Sequence, residues 1–473
     1  MSTRFVRALG VLLTTCCLGL VSVVPGPATA AQRAGSTGAD GIGDPYFPED
    51  GNGGYQVGHY DIRVSYDHPS KRLAGTATLT ARTKQRLTRF NLDLALKASA
   101  VTVDGATARF SQKGKELTVS PGRALAKGQK FRVAVTYAGV PEKIKRRGEN
   151  AWYTTPTGGV VVNQPQAAAW WFPSNDHPAD PAAFDVRVTV PKGTEAISNG
   201  NLVSTTPTGS QATWHWRLRS RIATYLAFVA IGDYDIEQGT AGGRKYLYGL
   251  EKGLPARTAA NARRSLRTTP RVTSFLARRW GSYPYGVVGG VVPNVDFGYA
   301  LENATRPVYS PAFFEGGASS SIVVHEMAHQ WFGDKVAVKR WKHIWLNEGY
   351  ATYSEWLWSQ ARGNRSTQSH FNRLYRGYEA SNEFWDLEIG DPGAKHIFDE
   401  PVYDRGAMTL HVLHKRIGDK AFYKLSTRWH RDNADGLGTT REYIDLAEKI
   451  TGKNLDPLFR QWLFSGKKPT ITR

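Results

Sequence analysis

Cysteine is nearly absent. The 473-residue chain has two, Cys16 and Cys17, side by side near the start. Disulfides and thiolate metal centres are therefore excluded for everything downstream. Acidic residues are in deficit: 41 Asp and Glu stand against 61 Lys and Arg, a formal charge of +20. Such a surface favours anionic partners. The basic residues are scattered and no nucleic-acid motif accompanies them, so nucleic acid is set aside. Solvated, solubilising faces are the first reading of the charge, and anionic cell-surface polymers the second. Long hydrophobic runs are missing after Val24, so no transmembrane segment is expected in the mature chain. The one uncharged apolar run, Ala8 to Val24, follows Arg4 and Arg7 and precedes Ala28-Thr29-Ala30. This order reads as a cleavable signal peptide over 1–30 and predicts a secreted or extracellular protein without disulfides.

At 41% hydrophobic and 11% aromatic residues, the remainder can bury sizeable cores. Residues 31–54 are rich in Gly, Asp and Pro and are expected to form a flexible leader. From Tyr55 the pattern alternates, with Tyr60, Ile62 and Val64 on one side and Asp61, Arg63 and Ser65 on the other. Thr76 to Ala81, Phe131 to Tyr137, Val186 to Val190 and Tyr225 to Ile231 continue the theme. Turn signals such as Pro121-Gly122 and Pro191-Lys192-Gly193 separate the runs. Period-two runs of this kind predict an antiparallel β domain over 55–240. Ala241-Gly242-Gly243 resembles a hinge. Ala256 to Trp280 reads as one helix, and Val287 to Val292 as a strand.

The chemistry is concentrated at His325-Glu326-Met327-Ala328-His329. Two histidines four residues apart share one helix face and can converge on a metal ion, with Glu326 on the same turn. Ser319 to Ser321 can start this helix with a serine cap, and Gly333 can end it. Catalytic zinc needs a third protein ligand and an open position. Glu348 in Asn347-Glu348-Gly349, with eighteen residues separating it from His329, is the best candidate. Glu355 lies seven residues after Glu348, two turns along the same face, where it either orients a ligating histidine or is a solvated surface glutamate. Further helical patterns cover Arg405 to Ile417 and Arg441 to Ile450. Strands followed by helices that carry the site suit an α+β peptidase domain over 241–473.

With these residues in view, the chain resembles the aminopeptidase N family of zinc metallopeptidases, gluzincins with a thermolysin-like catalytic domain. The resemblance spans roughly residues 55–468. It rests on the motif helix, the gap to Glu348, Gln330-Trp331-Phe332-Gly333 and Ile344-Trp345-Leu346. Tyr299 to Asn303 sits where the family carries Gly-x-Met-Glu-Asn, with Tyr299 in place of glycine and Leu301 in place of methionine. Pro401 to Gly406 is similar to the family's catalytic-tyrosine segment, and Gln164 to Pro178 to its N-domain motif. The chain stops soon after Gln461-Trp462-Leu463, where larger relatives continue into a helical domain that covers the active site, so a more open cleft is expected.

What the resemblance implies is an all-β N-terminal domain followed by an α+β thermolysin-like domain. One Zn2+ per chain would be held by His325, His329 and Glu348. Glu326 would be the general base, and Tyr403 would stabilise the oxyanion. Glu302, helped by Gln166, would bind the free α-amine of a peptide, with Asn303 and the backbone around Tyr299 and Ala300 completing the substrate site. The expected activity is an exported zinc aminopeptidase. An endopeptidase or dipeptide-releasing peptidase is the alternative within the same chemistry, and a surface peptide-binding protein the alternative outside enzymes. His343, His370, His396, His411 and His414 read as packing or surface residues.

Overall fold

The computed structural model describes residues 36–146, 148, 150–433 and 436–471. The signal expected over 1–30 lies outside them.

The N-terminal half is built on an eight-stranded sheet whose central members come from the alternating runs. Tyr55–Asp67 pairs with Arg72–Thr83 as an antiparallel hairpin, from Tyr55 opposite Thr83 to Asp67 opposite Arg72, with a register shift between Val57 and His59. Tyr60, Ile62, Val64 and Tyr66 are buried in it, as the alternation requires. The sheet is mixed rather than purely antiparallel, because Ala182–Pro191 returns to lie parallel to Tyr55–Asp67, with Val186 opposite Ile62. A sequence pattern reports which face is buried but not which neighbour a strand selects.

Residues 36–54 correct a second expectation: they are packed, not a loose leader. Asp44, Asp50 and Asn52 are almost fully buried. Asp44 accepts hydrogen bonds from the Trp341 amide at 2.9 Å and from His177 Nε2 at 3.0 Å. Asn52 Nδ2 donates to Asp93 at 2.9 Å. Their Gly, Asp and Pro content reflects tight turns stitched by side chains, which composition does not separate from mobility.

In the C-terminal half, a five-stranded sheet runs in the order Tyr234–Ala241, Arg244–Glu251, Val287–Val292, Val308–Tyr309, Ala300–Leu301. The expected hinge at Gly242-Gly243 is the turn of the first hairpin, with φ of +57° and +76°. Two consecutive left-handed residues suit a tight hairpin turn. The sheet thus begins at Tyr234, ahead of the boundary placed at 241. The single helix expected over 256–280 is two, Ala256–Leu266 and Thr269–Trp280, with Pro270 in the first turn of the second. Proline has no amide to continue the preceding turn.

Three helices then frame the site: Ser320–His329, Trp345–Ala361 and Glu400–Ile417. The last two cross at glycines. A Cβ on Gly406 would lie 2.9 Å from the Cα of Gly349, and one on Gly349 would lie 2.9 Å from the carbonyl carbon of Gly406. Only glycine permits this approach, and it brings the Glu348 turn against the Tyr403 turn.

Candidate active site

The motif helix Ser320–His329 buries Val323, Val324, Met327 and Ala328. That fixes its rotation and turns both histidines toward the Glu348 helix. Ser319 occupies the N-cap position without a side-chain bond. Ser320 instead accepts a hydrogen bond from Trp358 Nε1 at 3.0 Å, and Ser321 donates to Glu355. The helix ends at His329, four residues before Gly333.

Glu348 Oε2 lies 3.5 Å from His325 Nε2 and 3.4 Å from His329 Nε2. The ligand atoms of the three side chains all fall within 4.8 Å of one another. Nδ1 of each ring is already engaged: that of His325 with Glu355 at 2.8 Å, and that of His329 with the Phe332 carbonyl at 3.1 Å. A carbonyl can only accept, so His329 Nδ1 carries a proton, which leaves Nε2 as the nitrogen that can ligate a metal. The Glu355 carboxylate imposes the same tautomer on His325. Two imidazole lone pairs and a carboxylate, with no thiolate in reach, fit zinc. Glu355 therefore takes the orienting place expected for it. The Phe332 carbonyl, which does the same for His329, was not anticipated, since a backbone acceptor leaves no residue-type signal.

Burial would raise Glu348, but the adjacent His329 and His325 outweigh it and hold the carboxyl down at about 2. Glu326 shows the opposite balance. Burial pushes it up to about 8 against the pull of His325 and His329. Its side chain is 3% exposed. The Tyr403 ring lies 6.1 Å from the His325 ring at an interplanar angle of 24°. Burial, and then the carboxylates of Glu348, Glu302 and Glu326, hold its phenol protonated far above neutrality.

Ala300–Leu301 is the edge strand of the five-stranded sheet and leads directly into Glu302. Glu302 Oε1 accepts from Tyr225 at 2.8 Å and from Gln164 Nε2 at 3.2 Å. Its backbone carbonyl accepts from Gln330 Nε2 at 3.0 Å, while Gln330 Oε1 takes the Thr305 amide at 2.7 Å. The residue after His329 thus clamps the Glu302 loop to the motif helix.

Two expectations on this side, for Gln166 and Asn303, are corrected. Gln166 does not reach Glu302. Its side-chain amide donates to Asp50 and its side-chain oxygen accepts from Arg146, so Gln164 holds the position next to Glu302. Asn303 is fully buried and donates to the Leu226 carbonyl at 3.2 Å, supporting the loop from within. The Tyr299 phenol donates to the Val162 carbonyl at 2.9 Å, fastening the loop to the N-terminal half. Tyr225 was missed. In a run of apolar residues it reads as core, and only the fold, 77 residues later, supplies its partner. His411 and His414 pair with Gln368 and Asp419 away from the metal set, as expected.

Residues 315–462 match the Peptidase family M1 domain, and residues 56–226 the Peptidase M1 N-terminal domain. Aminopeptidase N of Acetobacter pasteurianus is 30% identical over 315 residues, covering 62% of this chain and 88% of that protein. The chain belongs to peptidase family M1. Among other M1 relatives, aminopeptidase M1-C of Oryza sativa subsp. japonica is 27% identical over 68% of this chain and 38% of its own length. Aminopeptidase M1-B of the same plant is 25% identical over 87% of this chain and 50% of its own. The chain spans half or less of the length of these larger relatives. A solved M1 zinc metallopeptidase from Deinococcus radiodurans superposes with a TM-score of 0.81 at 28% identity, covering 92% of this chain and 98% of that one. A mutant of it is bound to a Tyr-Ser-Ala substrate. The M1 assignment bears out the fold class, a β-rich domain followed by an α+β peptidase domain, and zinc as the cofactor.

Proposed function

We propose that this M1 chain is an exported zinc aminopeptidase that removes N-terminal residues from peptides. The observation that carries this reading is the placement of Glu302. A buried carboxylate, oriented by Tyr225 and Gln164, shares one cluster with Glu326 and His329 at the end of a free-edged strand. A peptide's α-ammonium is a cation, and a fixed carboxylate gives it charge-assisted hydrogen bonds one residue from the bond to be cut. The edge strand at Ala300 offers backbone groups to which the peptide adds as a further strand.

When bound by His325, His329 and Glu348, zinc supplies Lewis acidity toward a carbonyl oxygen and makes a neighbouring water more acidic. Glu326 takes the proton of the attacking water and delivers it to the leaving amine. The buried Tyr403 phenol donates to the oxyanion that attack creates. Glu302 holds the ammonium throughout, so the binding energy of the free terminus aligns the first peptide bond with the water.

Hydrolysis of free and N-acetylated aminoacyl substrates, each with and without a chelator, tests this. Chelator-sensitive cleavage of the free-amine forms alone is expected. Equal cleavage of acetylated peptides overturns the reading in favour of an endopeptidase. Export is tested separately: the protein recovered from culture medium should begin at Ala31.

A further inference from the structure

Tyr299 stands where the family motif has a glycine, and the ring it adds has company. Its centroid lies 4.9 Å from that of Phe297 at 72°, and the Phe297 centroid lies 5.5 Å from that of Tyr153 at 42°. The two phenol oxygens are 3.4 Å apart. All three rings are half-buried, so each keeps part of its surface uncovered. The loop that carries two of them is pinned. Asp296 Oδ1 accepts from the Gly298 amide at 2.8 Å and from Ser310 Oγ at 2.5 Å, and the Tyr299 carbonyl accepts from the Ser310 amide at 3.1 Å. Bonds at the far end place the cluster beside the candidate amine site. The Tyr299 phenol donates to the Val162 carbonyl at 2.9 Å, and Gln164, two residues on, donates to Glu302 at 3.2 Å. The rings therefore flank Glu302 from the N-terminal half, whereas Glu326 and His329 meet its carboxylate from the motif helix.

We propose that Tyr153, Phe297 and Tyr299 form the wall that receives the side chain of a substrate's first residue, and that they select an aromatic side chain there. This rests on the aminopeptidase reading, because Glu302 must hold the ammonium for the first residue to be fixed at all. With the ammonium on Glu302 and the scissile carbonyl at the metal set, two substituents of the first Cα are committed to the motif-helix side. The side chain leaves toward the other side, where the rings lie. A phenyl or phenol ring extends the cluster by one more edge-to-face or offset contact and covers its open surface. An alanine methyl buries far less of that surface. A carboxylate there would meet the negative ring faces and Glu302 together.

The test is kcat/KM of the zinc-loaded enzyme on aminoacyl amidomethylcoumarins whose first residue is Phe, Tyr, Ala or Asp, with the N-acetyl-Phe form alongside. The leaving group is constant, so differences report the first side chain. Phe and Tyr should exceed Ala by roughly tenfold or more, and Asp should fall below Ala. Phe297→Ala removes the central ring and Tyr153→Ala the outer one, and each should lower the Phe-to-Ala ratio by about threefold or more. Both rates of a ratio come from one preparation, so any loss of folded enzyme cancels. A wild-type ratio near one overturns the proposal. So does a ratio that survives both alanine variants while all substrates slow in equal proportion, since the rings would then only support the loop. Either result leaves the aminopeptidase reading standing as long as the acetylated substrate is not cleaved. Cleavage of N-acetyl-Phe as fast as Phe overturns that reading and the wall with it, because nothing then fixes the first residue.

Discussion

At the scale of single residues, the metal set depends on groups that never touch the ion. Glu355 fixes the His325 tautomer through a 2.8 Å contact. Replacing Glu355 with Gln keeps the shape but loses the charge, and should weaken zinc binding roughly 10- to 100-fold, read by competition with a chromogenic chelator. Unchanged affinity would show that His325 is held by packing alone. Glu326 makes a pH prediction. It works as a base only when ionised, so activity rises as pH climbs through its pKa. Burial, against the pull of His325 and His329, places that pKa at about 8, above the ordinary 4.5, and the charge of a bound ion pulls it back down. The acid limb of kcat/KM should therefore fall between these two values and vanish in Glu326→Gln. What the sequence made legible at this scale is what local spacing encodes: His325, His329 and Glu348 lie on consecutive helices whose faces periodicity predicts. Gln164 against Gln166 was not legible. Which glutamine turns toward Glu302 depends on Asp50, 116 residues away, which captures Gln166.

At the scale of elements, the site is held by how the helices approach one another. The Tyr403 helix is anchored by Arg405, a fully buried guanidinium that donates to the backbone carbonyls of Trp462, Trp385, Leu387, Gln461 and Ser465 at 2.8, 2.9, 3.0, 3.2 and 2.6 Å. Those of Trp385, Gln461 and Trp462 lie at helix C-terminal ends, so one side chain closes the C-terminal helix over the Tyr403 helix. Arg405→Met fills the volume but strands the carbonyls, and should cost about 3 kcal/mol or more by urea denaturation. Gly406→Ala acts one turn from the chemistry. Its added methyl meets Gly349 at 2.9 Å, so the helices must separate by a few tenths of an ångström. A stability loss of about 1–3 kcal/mol is expected from such overpacking. Tyr403 moves with its helix, so kcat should fall more than KM changes. A variant with wild-type kcat and only lowered stability would separate the crossing from the placement of Tyr403. Strand existence and the Val287–Val292 strand could be read from alternation and apolar runs. The parallel insertion of Ala182–Pro191 and the packing of residues 36–54 could not, because both are decided by long-range partners such as Asp44 with Trp341.

At the scale of the whole molecule, the excess of basic charge is uneven. The groove between Thr269–Trp280 and Asp419–Asp432 encloses about 450 Å3 and is lined by Arg278, Arg279, Lys424, Arg428 and Arg431, together with Tyr423 and Thr427. Asp432 neutralises part of this, through Arg428 at 2.6 Å and Arg431 at 3.0 Å. Arg278 and Lys424 are exposed, and no ion pair among the described residues reaches them. Like charges held this close on two packed helices repel one another, so an anionic polymer that displaces their counterions is favoured, with a strength that falls as salt rises. If the chain is exported and retained at a cell surface, this groove is where the anionic polymer should lie. Replacing Arg278 and Lys424 with Ser should lower the salt concentration that elutes the protein from a polyphosphate matrix. Replacing two exposed N-terminal lysines, Lys97 and Lys113, removes the same charge elsewhere and should shift elution much less. Hydrolysis of a small free-amine substrate should be the same in both variants, since neither pair belongs to the metal set or the Glu302 loop. Equal elution shifts for the two would mean that the net charge, rather than this groove, governs adhesion.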